Sequence, residues 1–171
     1  MSLSLRIAPL VFMAAVVQVA TISGVHLLGA ELDVLLVTVV VVALLAGSVA
    51  GVATGFAGGL LVDVMTLGTL GETSIVLILA GYWAGRYGET TGRDRRHAVP
   101  LAAFAISLLA TLGAVALHVL LGEPVSARTA LTALLPSAVL AAILALPAHR
   151  LARFVLSDSA PLVRPPRIEI V

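Results

Sequence analysis

The chain has no cysteine, no lysine and no asparagine among its 171 residues, and it has little charge or aromatic character. The absence of cysteine excludes disulfides, thiolate metal sites and thiol catalysis. Charged residues are 11% and aromatic residues 4% of the chain, whereas an ordinary soluble domain is about 25% charged. We expect neither a large soluble domain nor a nucleic-acid partner.

Hydrophobic residues make up 60% of the chain, and its mean hydropathy is +1.15, which is typical of an integral membrane protein. They form apolar blocks that short polar breaks separate. The blocks are Ile7 to Leu28, Leu32 to Ala46, Ser48 to Met65, Thr73 to Tyr87, Ala98 to Leu121 and Ala130 to Phe154. The sequence therefore predicts an all-α, polytopic membrane protein: a compact six-helix transmembrane bundle over residues 1–156, with a cytoplasmic, proline-containing tail over 157–171.

No charged residue separates the second block from the third, so the two form either one long helix or a hairpin at Gly47 and Ser48. Arginine and lysine tend to stay on the cytoplasmic side of a membrane. If Arg6 is cytoplasmic, a hairpin places every arginine except Arg128 on that side. Charge therefore favours the hairpin, six spans, and a cytoplasmic location for both termini.

The shorter blocks do not reach across a membrane easily, because 15 helical residues span about 22 Å against a hydrocarbon core of about 30 Å. We expect such helices either to extend into the flanking loops or to lie inside the bundle. The first block lacks a small-residue cleavage site, so we expect a retained span and no cleavable signal peptide.

Polar residues inside predicted spans are few, and such residues mark function more often than apolar ones. They are Gln18, Thr21, Ser23, Thr38, Thr54, Asp63, Ser74, Ser107, Thr111, Thr132 and Ser137. Asp63 alone ionises. It is either a carboxylate that caps a loop at the outer end of its helix, or a polar contact to a partner or a site for a coupling proton.

The four histidines lie at predicted span ends, and no two have the i, i+4 spacing of a metal site. His26 and His118 are predicted outside and His97 and His149 inside, all of them interfacial and solvated. The sequence shows no nucleophile elbow, phosphate-binding loop or HExxH motif. We expect no catalytic residue, no metal and no cofactor.

A ladder of glycines marks the third block. Gly47, Gly51, Gly55 and Gly59 lie four residues apart, and Asp63 continues the same spacing. Absent side chains on one face let another helix approach closely, as in the small-xxx-small pairs of membrane helices. Four helical glycines cost roughly 0.8–1.0 kcal/mol each relative to alanine, so close packing must offset the loss.

The fourth block repeats this spacing at Gly81 and Gly85, on either side of Tyr82. Tyr82, Trp83 and Tyr87 stand next to an arginine-rich connection, which is typical of an aromatic belt at the cytoplasmic surface. We therefore expect the fourth helix to pack tightly as well. The tail contains Pro161, Pro165 and Pro166 and is expected to be extended rather than helical.

Together these residues form a spaced pattern that resembles the MreD family of rod shape-determining membrane proteins. The matching positions are Gly55, Gly59, Leu60, Asp63, Gly68, Leu70, Gly71, Gly81, Tyr82, Gly85 and Arg86. The pattern covers about a fifth of the chain, and the rest agrees in hydropathy, number of spans and the arginine-rich connection.

The resemblance implies a non-enzymatic scaffold in the bacterial inner membrane that serves cell elongation and peptidoglycan synthesis. Its implied partners are MreC and, through MreC, RodA and a class B penicillin-binding protein. The family's fold is similar to the substrate-binding membrane subunits of energy-coupling-factor transporters, so a vitamin-binding transporter subunit is the alternative. Such a subunit needs a polar and aromatic pocket at the outer face, whereas Tyr82, Trp83 and Tyr87 are all predicted at the inner face.

The candidate site is accordingly a surface for helix packing or partner binding rather than a reaction centre. It comprises Gly51, Gly55, Gly59, Asp63, Gly71, Gly81, Tyr82 and Gly85. The sequence leaves open whether these residues pack inside the bundle or against a partner's membrane helix. Membrane lipids are the remaining expected contact.

Overall fold

The computed structural model describes residues 3–22, 33–67, 69–91, 98–122 and 127–156, and these residues form six α-helices and no β-strand. The helices are α1 (Leu3–Ile22), α2 (Val34–Ala46), α3 (Ser48–Thr66), α4 (Glu72–Thr91), α5 (Ala98–Leu120) and α6 (Ala127–Leu156). The prediction of an all-α fold with six helices is confirmed for this part of the chain. The residues outside it include His26, Gly68, Arg93, Arg95, Arg96, His97 and the tail at 157–171.

A single residue, Gly47, separates α2 from α3. Its φ of 98° is a left-handed backbone angle that glycine adopts without a steric cost. A Cβ built on Gly51 would lie 2.6 Å from the Cβ of Ala43, and one on Gly58 would lie 2.9 Å from Cδ1 of Leu35. Because the later residue of α3 meets the earlier residue of α2, the helices are antiparallel. The predicted hairpin at this position is confirmed.

Helix α2 lies at the centre of the bundle and contacts each of the other helices. Every residue from Leu35 to Leu44 is buried, which fits a sequence that is apolar on all sides. With 13 residues it is about 20 Å long, which is shorter than a hydrocarbon core of about 30 Å. This short block therefore lies inside the bundle, one of the two outcomes expected for it.

Two side chains cap the start of α2. Gln18 Oε1 of α1 accepts hydrogen bonds from the N–H groups of Val34 at 2.7 Å and Leu35 at 3.3 Å. Asp33 Oδ1 accepts one from the N–H of Leu36 at 2.9 Å. The first N–H groups of a helix have no partner within the helix, so these acceptors stabilise the helix start and tie α1 to α2.

Three of the helices contain stretches that are long and apolar enough to cross a membrane. These stretches are Ser48–Thr66, Val99–Leu120 and Leu134–Leu156, and shorter apolar stretches occupy Ile7–Ala20 and Val34–Ala46. Helix α4 extends beyond the predicted block of 73–87, and α6 extends beyond 130–154 at both ends. These two helices are thus longer than the apolar blocks that predicted them.

Candidate functional site

Helices α3 and α4 meet backbone against backbone at Gly51 and Gly81. A Cβ built on Gly51 would overlap the carbonyl oxygen of Gly81, and a Cβ on Gly81 would overlap the carbonyl oxygen of Gly51. Both glycines are buried. Because neither position has room for a methyl group, glycine is the residue that this crossing requires.

The same close approach repeats along the whole helix pair. Gly55 faces the carbonyl of Leu77, Gly59 faces the backbone of Ser74, and Gly85 faces the backbone of Gly47 and Ser48. Residues later in α4 face residues earlier in α3, so the two helices are antiparallel. The glycines of both helices lie along the same contact. We call this paired surface the glycine seam.

Two further glycines belong to the packing and were not predicted. A Cβ on Gly88 would lie 2.8 Å from the carbonyl oxygen of Leu44 in α2, and one on Gly58 would lie 3.1 Å from Cγ1 of Val11 in α1. Gly88 stands one turn beyond Gly85 in the sequence, which was the available signal for it. Gly58 lies outside the four-residue spacing, so that pattern did not reveal it.

Asp63 lies at the end of the seam, with only 3% of its surface exposed. Its Oδ2 accepts a hydrogen bond from the N–H of Gly71 at 2.8 Å, and its Oδ1 accepts one from the N–H of Thr73 at 3.3 Å. Gly71 has a φ of 95°, which allows the chain to turn into α4 at this point. Of the two roles considered for Asp63, this geometry is that of the cap: the carboxylate of α3 caps the start of α4.

Glu89 caps the other end of the pair in the opposite direction. Its Oε1 accepts hydrogen bonds from the Ser48 N–H at 2.8 Å and the Ser48 hydroxyl at 2.9 Å, at the start of α3. These bonds, with a smaller contribution from Arg86, hold the pKa of the exposed Glu89 carboxyl below its usual value. Sequence reasoning missed this contact. The available signal was that Gly47 has no side chain to cap α3, so the N–H groups at the start of α3 needed an acceptor from elsewhere.

The two caps are reciprocal. A carboxylate near the C-terminal end of each helix holds the N-terminal end of its neighbour, because antiparallel helices bring opposite ends together. Negative charge is favourable at helix N-termini, where the N–H groups are unpaired and the helix dipole is positive. The glycine seam is therefore fixed in register at both ends.

Tyr82 was predicted with this surface, but its side chain is not between the helices. It is 43% exposed, and its ring meets the Trp83 ring edge to face, with centroids 5.8 Å apart. Tyr87 is partly buried and packs against the core. Gly81 and Gly85 of α4 thus face α3, whereas Tyr82 and Trp83 face outwards.

The polar residues inside the helices mostly bond to the backbone of their own helix. Hydroxyls donate to carbonyl oxygens three or four residues earlier at Thr38, Thr54, Thr66, Thr111 and Ser137. Ser74 is an exception, since its hydroxyl reaches from α4 to the carbonyl of Phe56 in α3 at 3.4 Å. No buried side-chain nitrogen or oxygen among the described residues lacks a partner.

His118 was predicted to be interfacial and solvated; its side chain is 36% exposed, and it also has partners within the chain. Its Nε2 lies 3.0 Å from Oε1 of Glu72, and its Nδ1 lies 2.8 Å from the carbonyl oxygen of Ala114. The pair joins the end of α5 to the start of α4. Across the described helices, no three histidine, aspartate or glutamate side chains come together as ligands for a metal ion.

The described residues include the lining of two apolar grooves on the surface of the bundle. One, of about 350 Å³, lies between α4 and α5 and is lined by residues such as Leu79, Trp83 and Gly113. The other, of about 400 Å³, lies between α1, α2 and α6 and is lined by residues such as Val37 and Leu151. Neither groove carries the convergent polar groups by which a vitamin pocket orients its ligand.

These features define a class: an all-α membrane protein whose distinctive residues hold two helices in backbone contact rather than build a reaction centre. A family model described as rod shape-determining protein MreD matches residues 2–155. The chain therefore belongs to the MreD family, as its glycine pattern predicted, and its role lies in rod shape determination. Comparisons with curated proteins and with solved structures found no match.

Proposed function

We propose that this protein is a non-enzymatic scaffold of the bacterial cell-elongation complex, which builds peptidoglycan in rod-shaped cells. In this proposal it binds MreC in the inner membrane and, through MreC, is linked to RodA and a class B penicillin-binding protein. Membership of a shape-determining family supports the role. The partners come from the family resemblance.

The α3–α4 pair supports an architectural role for the signature residues. Gly51, Gly55 and Gly59 face α4, so their close-packing surface is occupied within the chain. A partner helix could use that surface only by separating α3 from α4. We therefore propose that the glycine seam and Asp63 set the shape of the bundle, and that MreC binds elsewhere.

An exposed apolar turn between α3 and α4 is the main structural support for the scaffold proposal. Leu67 is 93% exposed and Leu70 is 68% exposed, in the connection between α3 and α4. Leu67 has a φ of 54°, an uncommon angle for a residue with a side chain, and Asp63 fixes the turn through Gly71. Two leucines held outwards in this way are suited to an apolar partner surface.

Co-purification with MreC tests this contact. The double variant Leu67→Ser with Leu70→Ser removes the apolar side chains and leaves Asp63 and the glycine seam intact. We expect MreC recovery from detergent-solubilised membranes to fall at least tenfold, about 1.4 kcal/mol, when two apolar anchors are lost.

A matched control uses Val119→Ser with Leu121→Ser, at the exposed end of α5. This pair removes similar apolar area from a different turn, and we expect MreC recovery to stay unchanged. Equal recovery of MreC with both double variants and the unaltered protein would reject the turn as the binding surface.

The membrane arrangement is part of the same proposal. All six helices cross or enter the inner membrane, residues 1–156 form the transmembrane domain, and both termini and the tail at 157–171 are cytoplasmic. Charge distribution in the sequence supports this orientation, and the three long apolar stretches support membrane insertion. Similarity of the fold to the energy-coupling-factor subunits is part of this proposal.

A further inference from the structure

We propose that the groove between α4 and α5 binds one acyl chain of an anionic phospholipid, with the lipid phosphate at the Trp83 and Arg86 end. The proposed scaffold role neither requires nor implies this lipid site. It rests on the exposure of α5, the lining of the groove and the different side chains at its two ends.

Helix α5 is more exposed in its second half than in its first. The first half contains buried residues, among them Ala103 and Ser107, whereas none of the residues from Leu108 to Gly122 is buried. The helices α4 and α5 are joined again near the far end, where His118 meets Glu72 at 3.0 Å. Between these points the groove is a slot that is open on one side.

The slot has the chemistry and size of a hydrocarbon chain. Its lining contains no charged side chain, and no atom lies within 4 Å of a Cβ built on Gly113. The lining on α5 runs from Ile106 to Leu120, about 21 Å at 1.5 Å per residue. A volume of about 350 Å³ over this length suits an extended chain. A whole helix, about 10–12 Å wide, does not fit inside it.

The two ends of the slot carry different side chains, and this difference orients the lipid. Trp83 is 56% exposed at one end, and Arg86 lies one turn further along α4. Arg86 is paired only loosely with Glu89, at 3.5 Å, while Glu89 is held closely by Ser48. Tryptophan and arginine are typical of the headgroup level, where basic residues attract anionic lipids. The other end carries the Glu72 carboxylate with His118 at 3.0 Å, so a phosphate there would meet a carboxylate whose basic neighbour is already engaged.

Fluorescence of Trp83, the single tryptophan of the chain, tests the site. The purified protein is placed in phosphatidylcholine vesicles and titrated in two series. One series adds brominated phosphatidylglycerol, and the other adds brominated phosphatidylcholine; both lipids carry the bromine on their acyl chains. We expect brominated phosphatidylglycerol to quench Trp83 at mole fractions roughly fivefold lower than brominated phosphatidylcholine does, which is the effect of one basic residue near an anionic lipid. Arg86→Gln should abolish this preference.

Filling the groove tests the chain-binding half of the proposal. Gly113→Leu puts a side chain into the open slot and should reduce quenching by both brominated lipids. Ala105→Leu adds similar bulk at an exposed position of α5 outside the groove and should leave quenching unchanged.

Equal quenching by the two brominated lipids would overturn the headgroup assignment, and unchanged quenching in Gly113→Leu would overturn chain binding. If a second copy of the protein covers the groove, quenching would rise only on dilution of the protein in the bilayer, which also overturns the proposal. Arg86 lies at an exposed helix end, so its variant remains informative even if Gly113→Leu does not fold.

Discussion

At the scale of single residues, two carboxylates decide how α3 and α4 are held. Asp63 is buried and binds two backbone N–H groups at the start of α4, whereas Glu89 is exposed and binds Ser48 at the start of α3. A buried N–H group without a partner costs more free energy than an exposed one, because water satisfies the exposed group. Asp63 should therefore matter more for stability than Glu89.

Replacement of Asp63 by alanine should destabilise the protein by about 1–3 kcal/mol, since the N–H groups of Gly71 and Thr73 lose their acceptor. The thermal unfolding midpoint in detergent, followed by circular dichroism, measures the loss. Asp63→Asn retains one side-chain oxygen as an acceptor and should lose less stability.

The same pair of variants separates the cap from a proton-coupled role. A protein with Asp63→Asn that folds normally and still supports rod shape fits the cap. Normal stability together with complete loss of rod shape would contradict it, because a capping residue acts through the folded structure alone. Met65→Ala, at a neighbouring exposed position, is the control for disturbance of the turn.

At the scale of helices, the seam depends on glycines in two elements that share one register. Gly51 and Gly81 touch each other through their backbones, and Gly55 touches the backbone of Leu77. Gly113 in α5 is the opposite case, since nothing lies within 4 Å of a Cβ built there. Glycine thus allows close contact between backbones in α3, whereas in α5 it leaves an open groove.

The substitution of alanine for glycine should therefore have opposite effects in the two helices. Gly55→Ala forces a methyl group into the backbone of Leu77 and should destabilise the protein by about 1–3 kcal/mol or more, as overpacking does. Gly113→Ala meets no atom and gains helix propensity of roughly 0.8–1.0 kcal/mol. Unfolding midpoints of the two variants, measured together in one detergent, should move in opposite directions from that of the unaltered protein. A higher midpoint for Gly55→Ala would contradict the seam.

The sequence predicted the close-packing face on α3 but not the residues that this face contacts. The four-residue spacing from Gly47 to Gly59 is local, so it predicted a close-packing face on α3, and the hairpin followed from charge. What that face meets is a tertiary contact: Ser48 and Glu89 are 41 residues apart, and no periodicity connects them. The capping role of Asp63 was partly predictable, because Gly71 is only eight residues away and belongs to the same family pattern.

At the scale of the whole molecule, α2 determines the arrangement. A helix that is apolar on all sides is stable in lipid or in protein, so its sequence did not distinguish a span at the edge from a helix at the centre. The short length of α2 and its contacts with every other helix make it the core around which the longer helices pack. The described part of α5 that extends past Leu108 contains no buried residue, and the groove lies along it.

The lack of cysteine makes the membrane orientation directly measurable. Leu70 and Thr90 are exposed at opposite ends of the antiparallel α3–α4 pair, so a single cysteine at each reports on one side of the membrane. We expect an impermeant thiol reagent to label Leu70→Cys in intact spheroplasts and to label Thr90→Cys only after permeabilisation. This follows from the six-span topology, which places the α3–α4 connection outside and the arginine-rich end of α4 inside. Labelling of Thr90→Cys alone in intact spheroplasts would reverse the orientation, and labelling of both would show that α4 does not cross the membrane.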